Sequence, residues 1–172
     1  MDMSVFNTRK RAEEGVFLPL CHPFTGVAIG EGGKAPGFLI RGTAARSVQS
    51  RIGEMQKKAQ EAADGDEKAV MEALHESMID TAMRYIIGAQ NIENEGVQVE
   101  EPDQIRAVLD MTFPEMEIAK DGQGKTIMIT STGEDGKEVT VPKFEMTNKP
   151  FAKQVIDAAE DGARFLGPIS AA

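Results

Sequence analysis

The sequence predicts an α+β fold, because segments with helical periodicity alternate with short runs of β-branched residues along its 172 residues. The helical patterns cover 44–63, 67–87 and 148–167, and the strand patterns cover 16–43 and 125–141. Hydrophobic residues make up 41% of the chain and charged residues 27%, as in ordinary globular proteins. The chain is therefore predicted to be a single domain, 1–172, with four parts: an N-terminal helix and β-meander (1–43), a helical core (44–113), a β-hairpin insertion (114–147) and a C-terminal helix (148–167).

The N-terminal part begins with a short charged helix. Asn7 or Thr8 can cap this helix, and Gly15 is expected to end it in a left-handed turn. Three short apolar runs follow, separated by a turn and a glycine-rich loop, and they predict an antiparallel meander. Pro19 indicates that its strand lies at an edge or bulge, because proline cannot donate to a sheet ladder. The predicted strands are 16–21, 27–29 and 38–43.

The central part is predicted to contain a helical hairpin. Apolar residues recur at steps of three and four over 44–63, and Asp64-Gly65-Asp66 separates this helix from a second one over 67–87. Segment 88–100 is polar and turn-like, and Pro102 fits the first position of another short helix. The predicted buried stripe of the 67–87 helix consists of Met71, Leu74, Met78, Ala82 and Ile86.

The last third predicts a β-hairpin and a final helix. Threonine and β-branched residues alternate at 125–130 and 138–141, on either side of a glycine-containing turn. Asn148 is predicted to cap the C-terminal helix, with Pro150 in its first turn, and Gly167-Pro168 to end it. The predicted apolar face of this helix consists of Phe151, Val155, Ala158, Ala159 and Phe165.

Charge is unevenly distributed along the chain. Nineteen basic and 28 acidic residues give a net charge of −9. Residues 1–60 contribute +4 (nine basic, five acidic), and residues 61–172 contribute −13 (ten basic, 23 acidic). We call residues 93–121 the acidic segment, because it has nine acids against Arg106 and Lys120. It repels nucleic acid, whose binding depends on basic residues. The segment is either a solvated surface or a docking site for a basic partner through Glu100, Glu101 and Asp103.

The sequence lacks the patterns of catalytic and cofactor sites. The stretch from Gly26 to Ala35 resembles a phosphate-binding loop, but Ala28 and Ala35 replace the required glycine and hydroxyl residue. One cysteine and two histidines are too few for a zinc site. Cys21 and His22 are neighbours in an extended run and would point to opposite faces, so we interpret them as a core residue and a turn residue. His75 is interpreted as a packed histidine. We predict no enzymatic activity, no metal and no cofactor.

Membrane partners are not expected either, because no apolar run approaches the roughly 18 to 20 residues that span a bilayer. The charged N-terminus also lacks an apolar segment of the secretory type. The predicted partners are therefore other proteins.

Two stretches carry a resemblance to a known family. Residues 15–26 are a strand that leads into the turn His22-Pro23-Phe24-Thr25-Gly26, and residues 148–167 are a closing helix. They resemble the two ends of tail assembly chaperones of long, flexible-tailed bacteriophages. This resemblance implies a non-enzymatic protein of the host cell cytoplasm, which keeps the tape measure protein soluble and helps tail-tube subunits to polymerise around it. The hairpin at 125–141 departs from that family, and the alternative is a structural protein retained in the virion.

A chaperone for a long, helix-rich chain needs apolar grooves and a charged exterior. The helices at 44–87 can supply such a groove, since methionine adapts to different partners. The alternative is that these methionines belong to the core. Exposed strands at 16–42 or 125–141 can instead add to a neighbour's sheet, and the uneven charge lets copies associate head to tail as a homo-oligomer. The candidate groove residues are Met55, Met71, Met78 and Met83.

Overall fold

The computed structural model describes residues 8–43, 45, 67–132 and 138–165, and these residues confirm the α+β class. The first predicted helix of the hairpin, including Met55, lies outside the described residues, as do the turn at 133–137 and Gly167-Pro168. Within the described ranges, no helix is both long and apolar enough to cross a membrane. The helices are α1 (Thr8–Glu14), α2 (Glu67–Tyr85), α3 (Pro102–Asp110) and α4 (Phe151–Glu160).

Among the described residues, the strands form four small antiparallel sheets, of which the largest has three strands. This sheet contains β1, β2 and β3, and β2 lies in the middle. The strands are β1 (Val16–Pro19), β2 (Gly37–Ile40), β3 (Ile86–Gln90), β4 (Glu93–Asn94), β5 (Val97–Gln98), β6 (Met116–Ile118), β7 (Met128–Thr132), β8 (Glu138–Pro142) and β9 (Phe144–Met146).

The N-terminal predictions are confirmed for α1, for the edge position of Pro19 and for a strand at 38–43, which is β2, but the predicted middle strand of the meander, 27–29, was wrong. Gly15 ends α1 with a φ of 86°, and its N–H donates to the Arg11 carbonyl at 3.0 Å. Segment 27–29 makes only one bridge, from Ala28 to Cys21. The third strand is β3, which the sequence assigned to the end of a helix and a polar turn. It pairs with the second edge of β2, because the backbone of a buried middle strand needs partners on both sides.

The core lies between the β1-β2-β3 sheet and helices α2, α3 and α4. Ile79 and Ala82 of α2 are fully buried and belong to the same cluster as Leu109 and Val155. Near the N-terminal end of α2, the observed buried stripe differs from the predicted one by one position. Leu74 is 37% exposed, whereas His75 is buried in its place, because α2 turns its 75-79-82 face toward α3 and α4.

The predicted β-hairpin is confirmed, with Thr130 opposite Thr140 in the β7–β8 ladder. Two further strands, β6 and β9, extend it into a longer structure at 115–147, which we call the β-arm. The β6–β9 and β7–β8 ladders meet at a junction where three hydrogen bonds join the backbones of Ala119, Ile127 and Lys143. The Ala119 N–H donates to the Lys143 carbonyl at 2.8 Å, the Lys143 N–H to the Ile127 carbonyl at 2.8 Å, and the Ile127 N–H to the Ala119 carbonyl at 2.9 Å.

The C-terminal helix is confirmed over Phe151–Glu160, but Asn148 does not cap it. Pro150 occupies the position before the helix, and Asn148 is buried with its side chain turned toward the segment after α3. Gln154, which the apolar pattern left out, is also buried in this helix. Its side chain accepts from the Cys21 N–H at 2.9 Å and donates to the Cys21 carbonyl at 2.7 Å. These two hydrogen bonds join α4 to the segment that follows β1.

Candidate protein-contact surface

A five-residue connector, 111–115, joins α3 to the β-arm and is held by side chains from distant parts of the chain. Asn148 donates from Nδ2 to the Phe113 carbonyl at 2.8 Å and accepts at Oδ1 from the Glu115 N–H at 2.9 Å. The Phe151 N–H, at the start of α4, donates to Thr112 Oγ1 at 2.9 Å. Pro114 is fully buried. These contacts fix the backbone of the connector on the body of the protein.

His75 supports the connector from the side of α2. Its ring lies against Phe113, with 4.7 Å between ring centroids, and Nε2 lies 2.8 Å from Asp110 Oδ1 at the end of α3. Because a carboxylate accepts hydrogen bonds, Nε2 is the donor in this pair. Nδ1 is buried and has no hydrogen-bond partner among the described residues. The prediction that His75 is a packed histidine is confirmed.

Large apolar side chains remain exposed around this support. Phe113 is 45% exposed and Met111 is 56% exposed, and Leu74 next to His75 in α2 is 37% exposed. We call Met111 and Phe113 the connector patch. Polar and buried groups hold the backbone beneath the patch, so a partner that binds there does not have to order it first. No local pattern in the sequence predicts this patch, because the groups that hold it lie more than 30 residues away along the chain.

Met111 and Phe113 lie within the acidic segment of the sequence, and all nine acids of this segment are exposed. Asp110 directly precedes the connector, and Glu115 is its last residue. Glu100, Glu101 and Asp103 lie at the start of α3, where the Gln104 side chain accepts from the N–H groups of Glu100 and Glu101 at 2.9 and 3.0 Å. A basic partner of the connector patch would therefore meet negative charge on its way to the surface.

Arg106 does not neutralise this surface, because its guanidinium bonds to α2. Nη1 donates to Asp80 Oδ1 at 2.7 Å, and Nη2 donates to Glu76. Hydrogen bonding to Asp80 raises the pKa of Arg106 above its ordinary value, although burial opposes this. The positive charge of Arg106 thus serves to join α2 and α3.

The described methionines of the predicted groove lie mostly in the core. Met78 is only 7% exposed, and Met83 packs against the core cluster. Met71 is half-buried. Met78 is therefore not available to a partner in this conformation, and the connector carries exposed apolar side chains instead.

Cys21 and His22, the pair considered above for catalysis, have structural rather than catalytic contacts. His22 is an exposed turn residue, as predicted, and its Nδ1 accepts from the N–H groups of Phe24 at 3.3 Å and Thr25 at 3.4 Å. Cys21 is half-buried. Both border an open cavity of about 380 Å³ between this turn and α4. In the part of the chain that the structure describes, no cluster of three or more histidine, cysteine or carboxylate side chains is placed to hold a metal ion.

Asp157, which lines the same cavity, is expected to make the folding stability of the protein depend on pH. Burial alone would raise its pKa, but hydrogen bonds from Lys149 (2.8 Å) and Lys153 outweigh burial and hold the pKa below the ordinary value of 3.8. The unfolded chain therefore binds a proton more readily, so this stabilisation is present at neutral pH and is lost as the pH falls below 3.8.

We expect Asp157→Asn to lower the free energy of unfolding by about 0.5 to 1 kcal/mol at neutral pH, because the ion pairs are partly exposed. Urea titrations across the acid range should show this difference shrinking toward pH ~2. Gln98→Ala, at an exposed uncharged position, changes no ionisable group; it is the control and should show no pH-dependent difference. A constant difference for Asp157→Asn would contradict the linkage.

Comparison of the chain with known protein families, characterised proteins and solved structures finds no match. The connector presents a fixed apolar surface with acidic surroundings, which is suited to contact with another protein.

Proposed function

We propose that the protein is a non-enzymatic assembly protein of bacteriophage tails, which acts by protein–protein contact. In this role it chaperones the tape measure protein and assists polymerisation of the tail-tube protein in the host cell cytoplasm. The observation that supports a contact role is the connector patch, an exposed apolar surface whose backbone is held by Asn148 and whose Phe113 ring packs against His75. The assignment to phage tails comes from the resemblance of residues 15–26 and 148–167.

The chemistry of the connector patch favours a helical partner with basic flanks. Phe113 and Met111 offer apolar side chains of the kind that pack against the apolar face of an amphipathic helix. The acids on either side of the connector favour lysine and arginine at the edges of that helix and disfavour acidic partners. A tape measure protein is a long helix-rich chain, and such a segment within it is the partner we infer.

The β-arm favours a second candidate, a structural protein that stays in the virion. Its strands are long enough to pair with a neighbour's sheet, and Met128 and Phe144 on them are about half exposed. Such contacts are expected of a permanent assembly as well as of a transient helper.

Mass spectrometry of purified phage particles separates the two candidates. We expect the protein to be absent from finished particles, since a chaperone leaves the tail after assembly. It should be present in lysates of infected cells, which serve as the control for detection. Stoichiometric presence in washed particles would contradict the chaperone and favour the virion protein.

A further inference from the structure

A cavity of about 330 Å³ lies where α1 meets the short turn Gly162–Phe165 that follows α4. Arg11 and Arg164 both line this cavity, although they come from opposite ends of the chain. We call it the arginine cavity. Two guanidinium groups at one cavity favour a negatively charged ligand, because they form charge-assisted hydrogen bonds with oxyanions. The other residues that line it are Glu14, Gly15, Val16 and Phe165.

The fold fixes the backbone on both sides of the arginine cavity. On one side Gly15 ends α1, and its N–H donates to the Arg11 carbonyl at 3.0 Å. On the other side Phe165, which follows Arg164, is buried. Its ring packs so closely on Gly42 that a Cβ atom at Gly42 would lie 2.9 Å from it. A ligand therefore does not have to order the segments that carry the two arginines.

The charge of Arg11 is not compensated within the fold. Its side chain is half-buried and makes no hydrogen bond or ion pair with any residue that the structure describes. The Nε of Arg164 lies 3.4 Å from Asp161 Oδ2, but this single contact cannot occupy the five N–H donors of a guanidinium. Glu14, the carboxylate at the cavity, lies 3.6 Å from Lys10. An anion in the cavity would therefore supply the counter-charge that Arg11 lacks.

The donor set favours a phosphate group over a carboxylate. A phosphate monoester carries a charge of about −1.5 to −2 at neutral pH and has three acceptor oxygens, so it can bind two guanidinium groups at once. A carboxylate has one charge and two oxygens, which a single guanidinium can occupy. The volume of about 330 Å³ lies within the range of small-molecule sites, so the cavity also has room for part of the molecule that carries the phosphate.

We propose that the arginine cavity binds the phosphate group of a phosphate monoester, with Arg11 and Arg164 as the donors. This site does not depend on the proposed tail function, because it is formed by other residues than the connector patch. The phosphate group comes either from a free metabolite or from a phosphorylated side chain of another protein, and both present the same group to the two arginines.

Isothermal titration calorimetry of the purified full chain with inorganic phosphate tests this proposal. At neutral pH and matched ionic strength we expect saturable binding, and we expect acetate, with its single charge, to bind roughly tenfold more weakly. Amide NMR signals of Arg11, Gly15 and Arg164 should shift on addition of phosphate. No saturation up to about 10 mM phosphate, or equal binding of acetate, would overturn the proposal.

Two further ligands, titrated in the same way, distinguish the sources of the phosphate group. Tighter binding of glycerol 3-phosphate than of inorganic phosphate supports a free metabolite. Tighter binding of a phosphoserine peptide supports a phosphorylated protein.

Variants of basic residues locate the site. Arg11→Gln and Arg164→Gln should each weaken phosphate binding roughly tenfold or more, because each removes charge-assisted hydrogen bonds. Lys34→Gln is the control, since it removes a positive charge from an exposed position outside the cavity and should leave binding nearly unchanged. Circular dichroism and thermal melting verify that each variant is folded. Equal weakening by Lys34→Gln and Arg11→Gln, or unchanged binding in both arginine variants, would also overturn the proposal.

Discussion

Gly37→Ala is expected to lower the free energy of unfolding by about 3 kcal/mol or more, the upper range for overpacking of a core. A Cβ atom at Gly37 would lie 2.3 Å from the Leu18 carbonyl oxygen and 2.5 Å from the Phe17 ring. The carbonyl belongs to the paired strand β1, so neither backbone can move without loss of the ladder. Phe38, the next residue, is fully buried at the centre of the core and would be displaced too.

Gly88 provides a matched control in the neighbouring strand. It lies opposite Leu39 of β2, and a Cβ atom there would meet nothing within 4 Å. We expect Gly88→Ala to be neutral or to stabilise by about 0.4 to 1 kcal/mol, because alanine restricts the unfolded chain. Urea or thermal unfolding of both variants measures the difference. Equal stability of Gly37→Ala and Gly88→Ala would contradict the packing of β1 against β2.

Asn148→Ala is expected to destabilise the protein by about 2 to 4 kcal/mol, because two part-buried backbone groups lose the hydrogen-bond partner that the Asn148 side chain provides. These groups are the Phe113 carbonyl and the Glu115 N–H on either side of Pro114. The connector would then be free to move, so binding at the connector patch should weaken even under conditions where the variant is folded. Hydrogen exchange at 111–115 and unfolding titrations measure the two effects.

Asn94→Ala, in the short β4 strand, is the control for Asn148→Ala. Asn94 is half-buried and lies outside the connector, so we expect a change within about 0.5 kcal/mol and unchanged exchange at 111–115. If Asn148→Ala had the same small effect, the two hydrogen bonds of Asn148 would not be what holds the connector.

Local signals were enough to predict several elements. The α1 helix follows from its flanking turn residues, α3 from Pro102 and its apolar spacing, and the β7–β8 hairpin from the alternation of β-branched residues. In each of these the decisive interactions join residues that are close in the sequence. The segment at 86–90 lacked such a signal, because it continues the helical spacing of α2 and becomes a strand only by pairing with β2.

The candidate surface was less predictable than the fold. Asn148 looked like a helix cap, because capping is the usual local role of asparagine, whereas its observed partners lie 33 and 35 residues earlier. Gln154 bonds to Cys21 across 133 residues. The spacing of Met78 in α2 fits both a core residue and a residue of a partner-binding groove. Only the packing of α2 against its neighbours shows that Met78 lies in the core.

Capture of the tape measure protein from infected cells tests the proposed function most directly. With the tagged full chain as bait, we expect the tape measure protein to be recovered. Recovery should fall strongly with Met111→Ser and Phe113→Ser. Val27→Ser and Phe24→Ser alter exposed apolar residues of the turn after β1 and should recover as much as the unaltered chain. Failure to capture the tape measure protein would contradict the proposed function, and equal capture by all four variants would contradict binding at the connector patch.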